Sequence, residues 1–491
     1  MNDQFILVLD EGTTSTRAML FALDGKPSGT AQAELTQFYP QDGWVEHDAA
    51  EIWDKTLACA REMVERAGGA ERIAAIGITN QRETVVAWDK QTGEPLARAI
   101  VWQDRRTAEF CARLKASGHE EAVRGKTGLL LDPYFSATKM RWMLDNVPHV
   151  QGAAERGTLA FGTVESWLVW CLSGGQQHVS DASNASRSLL LPLDGDTWDE
   201  DLCELFGVPL AALPQVVDCA GTIAETAPDF LGAVIPICGM AGDQQAATIG
   251  QGCLEPGATK ATYGTGAFIL ASTGSTLPHS DNRLLGTVLT QINGERTYAL
   301  EGSVFVAGSL VQYLRDTLGL IASAGETEEL ARSVADSGGV VVVPALSGLG
   351  APHWRPDARG SITGLSFASS RAHVVRAALE AMAHQTRDLA AAFAADGARW
   401  RGIRIDGGMA ANDWMAQDLA DILQLPVTRP HFVETTALGA AILAALGCGA
   451  YSSLAEATAA MCGDAREFAP QMEAATRAVR LANWERALAK V

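Results

Sequence analysis

The run Phe5-Ile6-Leu7-Val8-Leu9-Asp10-Glu11-Gly12-Thr13-Thr14-Ser15-Thr16-Arg17-Ala18-Met19-Leu20-Phe21 constrains this chain more than any other stretch. Apolar residues flank a polar turn too short to hold a helix, which predicts a strand, a turn and a returning strand. Gly12 lets the backbone approach a ligand, and Thr13, Thr14, Ser15 and Thr16 offer hydroxyl and amide donors with no anion to repel a phosphate. Arg17 adds a fixed positive charge. Asp10, at the mouth of the strand, is a hard oxygen ligand placed to hold Mg²⁺ beside that phosphate, directly or through water. An ordinary polar hairpin fits the same pattern equally well, so the remaining segments have to decide.

A second centre lies at Ile235-Pro236-Ile237-Cys238-Gly239-Met240-Ala241-Gly242-Asp243-Gln244-Gln245, an apolar strand ending in glycine and a lone carboxylate. Asp243 stands at a strand-to-helix junction, where an N-cap alone would account for it. The next segment, Lys260-Ala261-Thr262-Tyr263-Gly264-Thr265-Gly266-Ala267-Phe268-Ile269-Leu270, repeats the opening theme of strand, glycine-threonine turn and strand. Two such hairpins, one near the start of each half, suggest a duplicated fold with a phosphate chain held between the halves. At 491 residues the chain exceeds what one core usually supports. Two domains are expected, 1–248 carrying the first hairpin and 249–491 the second.

Between these centres, Asp48 reads as the N-cap of a helix from Ala49 to Ala67 that Gly68-Gly69 ends. Strands are predicted over Ile73 to Ile78, Thr84 to Trp88 and Leu96 to Trp102. The polar loop Thr79 to Glu83 sits at a strand end, where open α/β folds keep their ligands. Arg82 and Glu83 beside Trp102 fit a surface ion pair next to a core aromatic as readily as a site. Tyr134 follows a proline just before a helix, where its hydroxyl points either into a cleft or to a structural partner. Phe161 to Leu168 reads as a helix on the first sheet, Asp181 to Arg187 as a polar turn, and Glu301 to Gln312 as a helix whose glycines allow close approach. Val340 to Val343 is a buried strand, and Ile403 to Asn412 is strand, diglycine turn and helix, a shape that brings backbone against a flat ring such as adenine. Thr435 to Tyr451 is too short for a membrane span and reads as a buried, closely packed helix.

Charge and cysteine usage exclude some partners. With 58 acidic residues against 38 basic ones, the net charge of -20 opposes a nucleic-acid backbone or an anionic membrane surface. Nine scattered cysteines without a C-x-x-C pair point to reduced thiols in the cytoplasm, and the N-terminus lacks the basic residues and cleavage site of a signal peptide.

Taken together, Asp10 to Arg17, Asn80 to Thr84, Trp102 to Thr107, Asp132 to Trp142, Ala241 to Ala247, Thr262 to Phe268 and Asp406-Gly407-Gly408 resemble the FGGY carbohydrate kinases, in particular the glycerol kinases, in order over nearly the whole chain. The resemblance implies an α/β fold of the two-domain actin and hexokinase-like ATPase type, built from duplicated ribonuclease H-like domains with the active site in the interdomain cleft. It implies ATP-dependent phosphorylation of glycerol to sn-glycerol 3-phosphate, with ATP and Mg²⁺ required. Carried over by position, Arg82, Glu83, Tyr134, Asp243 and Gln244 meet the glycerol hydroxyls, and Trp102 and Phe268 lie against its carbons. ATP falls on Thr13, Thr14, Ser15 and Arg17 of one hairpin and Thr265 of the other, with Gly308, Gln312, Gly408 and Asn412 nearer the nucleoside. Asp243 becomes the general base, and Asp10 with Asp243 the metal ligands. A homo-oligomer, dimer or tetramer, is expected as well.

Some positions depart from the family pattern. Glu11 stands where glutamine is usual, which would add a negative charge beside the phosphate turn, and Arg355 stands where an aspartate is usual. Where relatives regulated by fructose 1,6-bisphosphate have a glycine-rich loop with an arginine, this chain has Phe230-Leu231-Gly232-Ala233-Val234, so the resemblance does not extend to that effector site. Two other readings stand beside glycerol: a kinase for another small polyol or keto-sugar such as erythritol or xylulose, and an actin-like ATPase switch that binds partners.

Overall fold

The computed structural model describes residues 4–355 and 357–491. The opening run forms β1 (Phe5–Glu11) and β2 (Ser15–Ala22), antiparallel, with Asp10 opposite Arg17 and Glu11 opposite Thr16. With β3 (Pro27–Glu34), β4 (Ile73–Asn80), β5 (Ala220–Glu225) and β6 (Pro236–Gly242) they make a six-stranded sheet in the order β5-β6-β4-β1-β2-β3. β1, β4 and β6 run parallel, so Glu11, Asn80 and Gly242 end side by side. That alignment delivers the turn at Gly12, the Gln81-Arg82-Glu83 loop and Asp243 to one edge of the sheet, where ligands of open α/β sheets bind.

The second half repeats the arrangement. β7 (Ala258–Tyr263) and β8 (Ala267–Gly274) are an antiparallel hairpin. β9 (Leu285–Ile292), β10 (Glu295–Val304), β11 (Gly402–Asp406), β12 (Val427–Pro430) and β13 (Ala465–Phe468) complete a seven-stranded sheet in the order β9-β10-β8-β7-β11-β12-β13. Parallel pairing of β7 with β11 sets Thr262 opposite Asp406, as β1 with β4 sets Asp10 opposite Thr79.

Strand alternation decides which face each helix covers. Leu7, Leu9 and Leu20 point to the face covered by α1 (Ala49–Ala67) through Ile52, Cys59 and Met63. The Asp48 carboxylate accepts the Ala50 and Glu51 amides at the start of α1, and Gly68 ends it in the left-handed conformation. Ile6, Val8 and Met19 point the other way, onto α4 (Thr435–Gly447), while α2 (Asp243–Gly250) leaves β6 and α3 (Arg371–Ala395) lies in the core of the second half. α4 crosses α2 with backbone against backbone. A Cβ added at Gly439 would lie 1.8 Å from the Ala246 carbonyl oxygen, and one at Gly250 would lie 2.0 Å from that of Thr435. Only glycine permits this approach.

Several local expectations shift. The strand predicted to Trp102 shrinks to Ala99–Ile100, because its partner, Glu46–His47, is itself two residues long. Phe161 lies in a strand, Leu159–Gly162, and the helix begins at Val164. Asp181 caps a short helix, Ala182–Ala185, rather than opening a turn. The largest correction is at Glu301, expected to open a helix: it lies in β10, in register opposite Leu270, and the helix starts only at Gly308. No helix among the described residues is long and apolar enough to cross a membrane.

Candidate active site

The residues singled out in sequence gather at the edge where β1, β4 and β6 end. The first turn closes with the Gly12 amide donating to the Ser15 carbonyl at 3.0 Å. Gln81 braces it, its amide donating to the Glu11 carbonyl at 2.6 Å and its Nε2 to the Gly12 carbonyl at 3.1 Å. Arg17 donates to Asp10 Oδ2 at 2.6 Å and to Glu434 Oε2 at 2.5 Å, so its charge is held over the turn by two carboxylates. Burial raises the Asp10 pKa to about 6 against the pull of Arg17, and the nearby Asp243 and Glu434 charges push the same way. Thr14 is exposed, and the Ser15 hydroxyl accepts from Gln32 at 3.1 Å.

Glu11 does not act as expected. Its side chain turns away from the phosphate turn and lies beneath α1, fully buried, accepting from Thr16 Oγ1 at 2.5 Å and Thr56 Oγ1 at 2.7 Å through one oxygen. The other oxygen has no hydrogen-bond partner. Desolvation outweighs the two hydroxyls and pushes the carboxyl to about 8, so at neutral pH it is mostly protonated and adds no charge to the turn.

Asp243 is the first residue of α2, and the cap position belongs to Gly242, so capping does not account for the carboxylate. Arg82 Nε stands 3.4 Å from Asp243 Oδ1, and Arg82 Nη2 is 3.4 Å from the Tyr134 hydroxyl. Asp243 keeps about a third of its side chain exposed, which points it into the cleft, while Arg82 and Glu83 are buried. Desolvation raises the Asp243 pKa, with Arg82 and then Lys260 pulling it down. Gln244 Oε1 accepts from Lys260 Nζ at 2.6 Å. Lys260 lies on β7, so this bond ties the two halves together across the site.

Aromatic rings wall one side. Trp102 meets Tyr134 edge-on at 5.6 Å and Phe268 at 6.4 Å between ring centres, and its Nε1 donates to Thr13 Oγ1 at 3.0 Å. One indole thus links the first hairpin, Tyr134 and the second hairpin. Glu83 adopts φ 62°, a left-handed conformation that costs a non-glycine residue about 1–3 kcal/mol. Its carbonyl is held in place by Ser136 Oγ at 3.2 Å and by the buried Lys139 ammonium at 3.4 Å. Burial lowers the pKa of that lysine to about 8, against the attraction of Glu83, Asp104 and Asp132.

Across from this pocket is a cavity of about 470 Å³ lined by Thr265, Gly308, Gln312, Gly408 and Asn412, with Thr327 and Glu328 on its wall. All five residues assigned from sequence to the second nucleotide-binding segment meet here. Asn412 contributes by position rather than by a free amide, since its Oδ1 caps the helix Asp413–Leu423 at Met415 N and its Nδ2 donates to Thr327. Sequence reasoning missed Lys139, Arg187, Lys260 and Glu301 around the Gln81-Arg82-Glu83 loop. A lone lysine in the strand leading into the second hairpin, Lys260, is the signal that was available.

Two glycine-threonine hairpins, a carboxylate at a strand end and an aromatic-walled polar pocket are the parts of a cleft kinase for a small hydroxylated substrate. Models of the FGGY family of carbohydrate kinases match residues 5–250 for the N-terminal domain and 259–448 for the C-terminal domain, and the chain belongs to that family. It is 56% identical over 489 residues to the glycerol kinase of Rhodospirillum rubrum, covering 99% of each chain. It is 54% identical to the glycerol kinase of Alcanivorax borkumensis, covering 99% of this chain and 98% of that one. Among solved structures, Plasmodium falciparum glycerol kinase with ADP superposes with TM-score 0.94 at 34% identity, over 99% of this chain and 98% of the other. Xylulose kinase from Rhodospirillum rubrum superposes with TM-score 0.88 at 26% identity, over 99% of each.

Proposed function

We infer that this protein transfers the γ-phosphoryl group of ATP to a terminal hydroxyl of glycerol, giving sn-glycerol 3-phosphate. The observation that carries the reading is the convergence of Arg82, Tyr134, Asp243 and the Trp102 ring on one small pocket, in a chain more than half identical over its length to glycerol kinases. A three-carbon triol needs a donor or acceptor at every carbon and flat walls that exclude water. Arg82, Glu83, Tyr134, Asp243 and Gln244 supply the first, Trp102 and Phe268 the second. The polyol pocket also argues against an ATPase switch, which has no use for one.

Asp243 accepts the proton of the attacking hydroxyl, while Arg82 at 3.4 Å holds the carboxylate ionised and aimed. Thr13, Thr14, Ser15 and Thr265 offer donors to the phosphates, and Arg17 supplies charge to the transferring group; Gly308, Gln312, Gly408 and Asn412 take the nucleoside. Because phosphoryl transfer passes through a loose transition state, alignment and charge neutralisation contribute most of the acceleration. The donor set suits Mg²⁺: Asp10 and Asp243 are hard oxygen ligands close enough for the Asp243 charge to raise the Asp10 pKa. No cluster of three or more His, Cys, Asp or Glu side chains that could hold a metal stands among the described residues, as expected of an ion that takes most ligands from phosphate and water. When bound, Mg²⁺ neutralises charge on the phosphates.

For this function we divide the chain at 248/249, in the last turn of α2 and ahead of the second hairpin. The cytoplasm as its compartment is supported by nine cysteines, none of them bridged. A homo-oligomer, dimer or tetramer, is supported by an apolar row on the second half: Ile362 is 40% exposed, Leu365 60% and Phe367 fully. Phe367→Asp is expected to shift the molar mass in light scattering toward the monomer, and an unchanged mass would remove this row as the interface.

ADP release measured across glycerol, dihydroxyacetone, erythritol and xylulose tests the substrate. The highest kcat/KM is expected with glycerol, and a preference for erythritol or xylulose would replace it. A substrate lacking one hydroxyl leaves a buried polar group unpaired, so glycerol should exceed 1,2-propanediol by about five- to a hundredfold. Trp102→Ala should narrow the gap between glycerol and erythritol by opening the wall that limits chain length.

A further inference from the structure

At the base of the Gln81-Arg82-Glu83 loop lies a closed ring of four buried charges. Arg187 Nε donates to Glu83 Oε1 at 2.7 Å and its Nη2 to Glu301 Oε1 at 3.0 Å, while the other oxygen of Glu301 accepts from Arg82 Nη1 at 2.6 Å. Arg82 completes the ring with its Nε 3.9 Å from Glu83 Oε1. All four side chains are at most 2% exposed, and Arg187 is wholly buried. Its guanidinium also stands 5.7 Å from the centre of the Tyr134 ring and 5.2 Å from that of Phe135. Arg82, Glu83 and Tyr134 therefore rest on a pair, Arg187 and Glu301, that lies buried behind them.

Resting on the glycerol reading, we propose that Arg187, fixed by Glu301, is a positioning residue that sets the orientation of Arg82, Glu83 and Tyr134 and thereby the demand for adjacent hydroxyls. Buried ion pairs seldom out-stabilise apolar residues of the same volume, so four charges in one dry place point to a role in orientation. The geometry is particular to arginine. A planar guanidinium donates along two directions at once and bridges two carboxylates, whereas a lysine ammonium is a point charge on a flexible stem. Glu301 shares its two oxygens between Arg82 and Arg187, so the two guanidinium groups are held at a fixed separation. Glu301 comes from β10, across the chain from the other three, so a strand of the second half governs the orientation of polar residues supplied by the first.

Arg187→Lys and Glu301→Gln test the proposal in the full-length enzyme, with thermal melts run alongside. Each is expected to raise the glycerol KM at least about tenfold while the ATP KM stays within about twofold, because the lost contacts orient only the polyol site. The ratio of kcat/KM for glycerol over 1,2-propanediol should fall to less than about a third of the wild-type value. A purely structural role would lower both substrates in step and leave that ratio unchanged, and that result, or an unchanged glycerol KM, overturns the proposal. Glu301→Gln keeps the size of the side chain, and it carries the same readouts if Arg187→Lys does not fold. Wild-type enzyme that fails to turn over glycerol at all would overturn the substrate reading instead, which the same assay shows before any variant is made.

Discussion

Asp243→Asn is expected to lower kcat by at least about a hundredfold while ATP still binds. The amide keeps the shape of the carboxylate and its place at the start of α2, and Gly242 still caps the helix, so the fold has no reason to change. What disappears is the capacity to take a proton from the attacking hydroxyl, and with it one of the two carboxylates placed for the metal. Burial raises the pKa of Asp243 from its ordinary value, against the pull of Arg82 and Lys260. Wild-type kcat/KM should therefore fall on acidification through that raised pKa, because the base must be ionised to act, and the variant should lack this limb. Nucleotide binding by calorimetry and turnover by ADP release separate the two effects. Near-normal turnover in Asp243→Asn would remove it as the base.

The second large effect concerns stability and comes from Glu11. Its carboxyl is held at about 8 in the folded protein against an ordinary 4.5, so the native state binds the proton more tightly than the unfolded chain. The associated stability is fully present below 4.5 and is lost as pH rises toward 8. A shift of that size corresponds to a ceiling of ~5 kcal/mol. Glu11→Gln has the same shape and no charge to bury, and it still offers an oxygen to Thr16 and Thr56. Urea midpoints for the two proteins should nearly coincide at pH 4 and diverge progressively by pH 9, with the glutamine form the more stable. Parallel curves across that range would show that Glu11 does not titrate where its surroundings place it.

Both hairpins were legible because their signal is local: glycine and threonine between apolar strands dictate a turn with free donors whatever surrounds it. The place of Asp243 was legible for a related reason, since an apolar strand ending in glycine fixes where the next residue emerges. Glu301 was not. A glutamate followed by glycine and serine resembles the start of a helix, where acidic residues are favoured, yet β10 takes it because its neighbour Leu270 on β8 and its partners Arg82 and Arg187 are fixed by tertiary packing. Arg187 was hidden in the same way, its two carboxylates lying more than a hundred residues away on either side. Glu11 misled because sequence shows that a charge has been added and not that the side chain turns inward beneath a helix.

The crossing of α2 and α4 has a mechanical side. Each helix presents a glycine to the other's carbonyl oxygen, Gly250 to Thr435 and Gly439 to Ala246, and α2 begins with the candidate base while α4 supports the strands of the first hairpin. Two rods in such contact have no slack along their common normal. The crossing is therefore a spacer whose thickness is set by the absence of two methyl groups. A shim there, as small as alanine, would alter the mouth of the cleft from a place no ligand reaches.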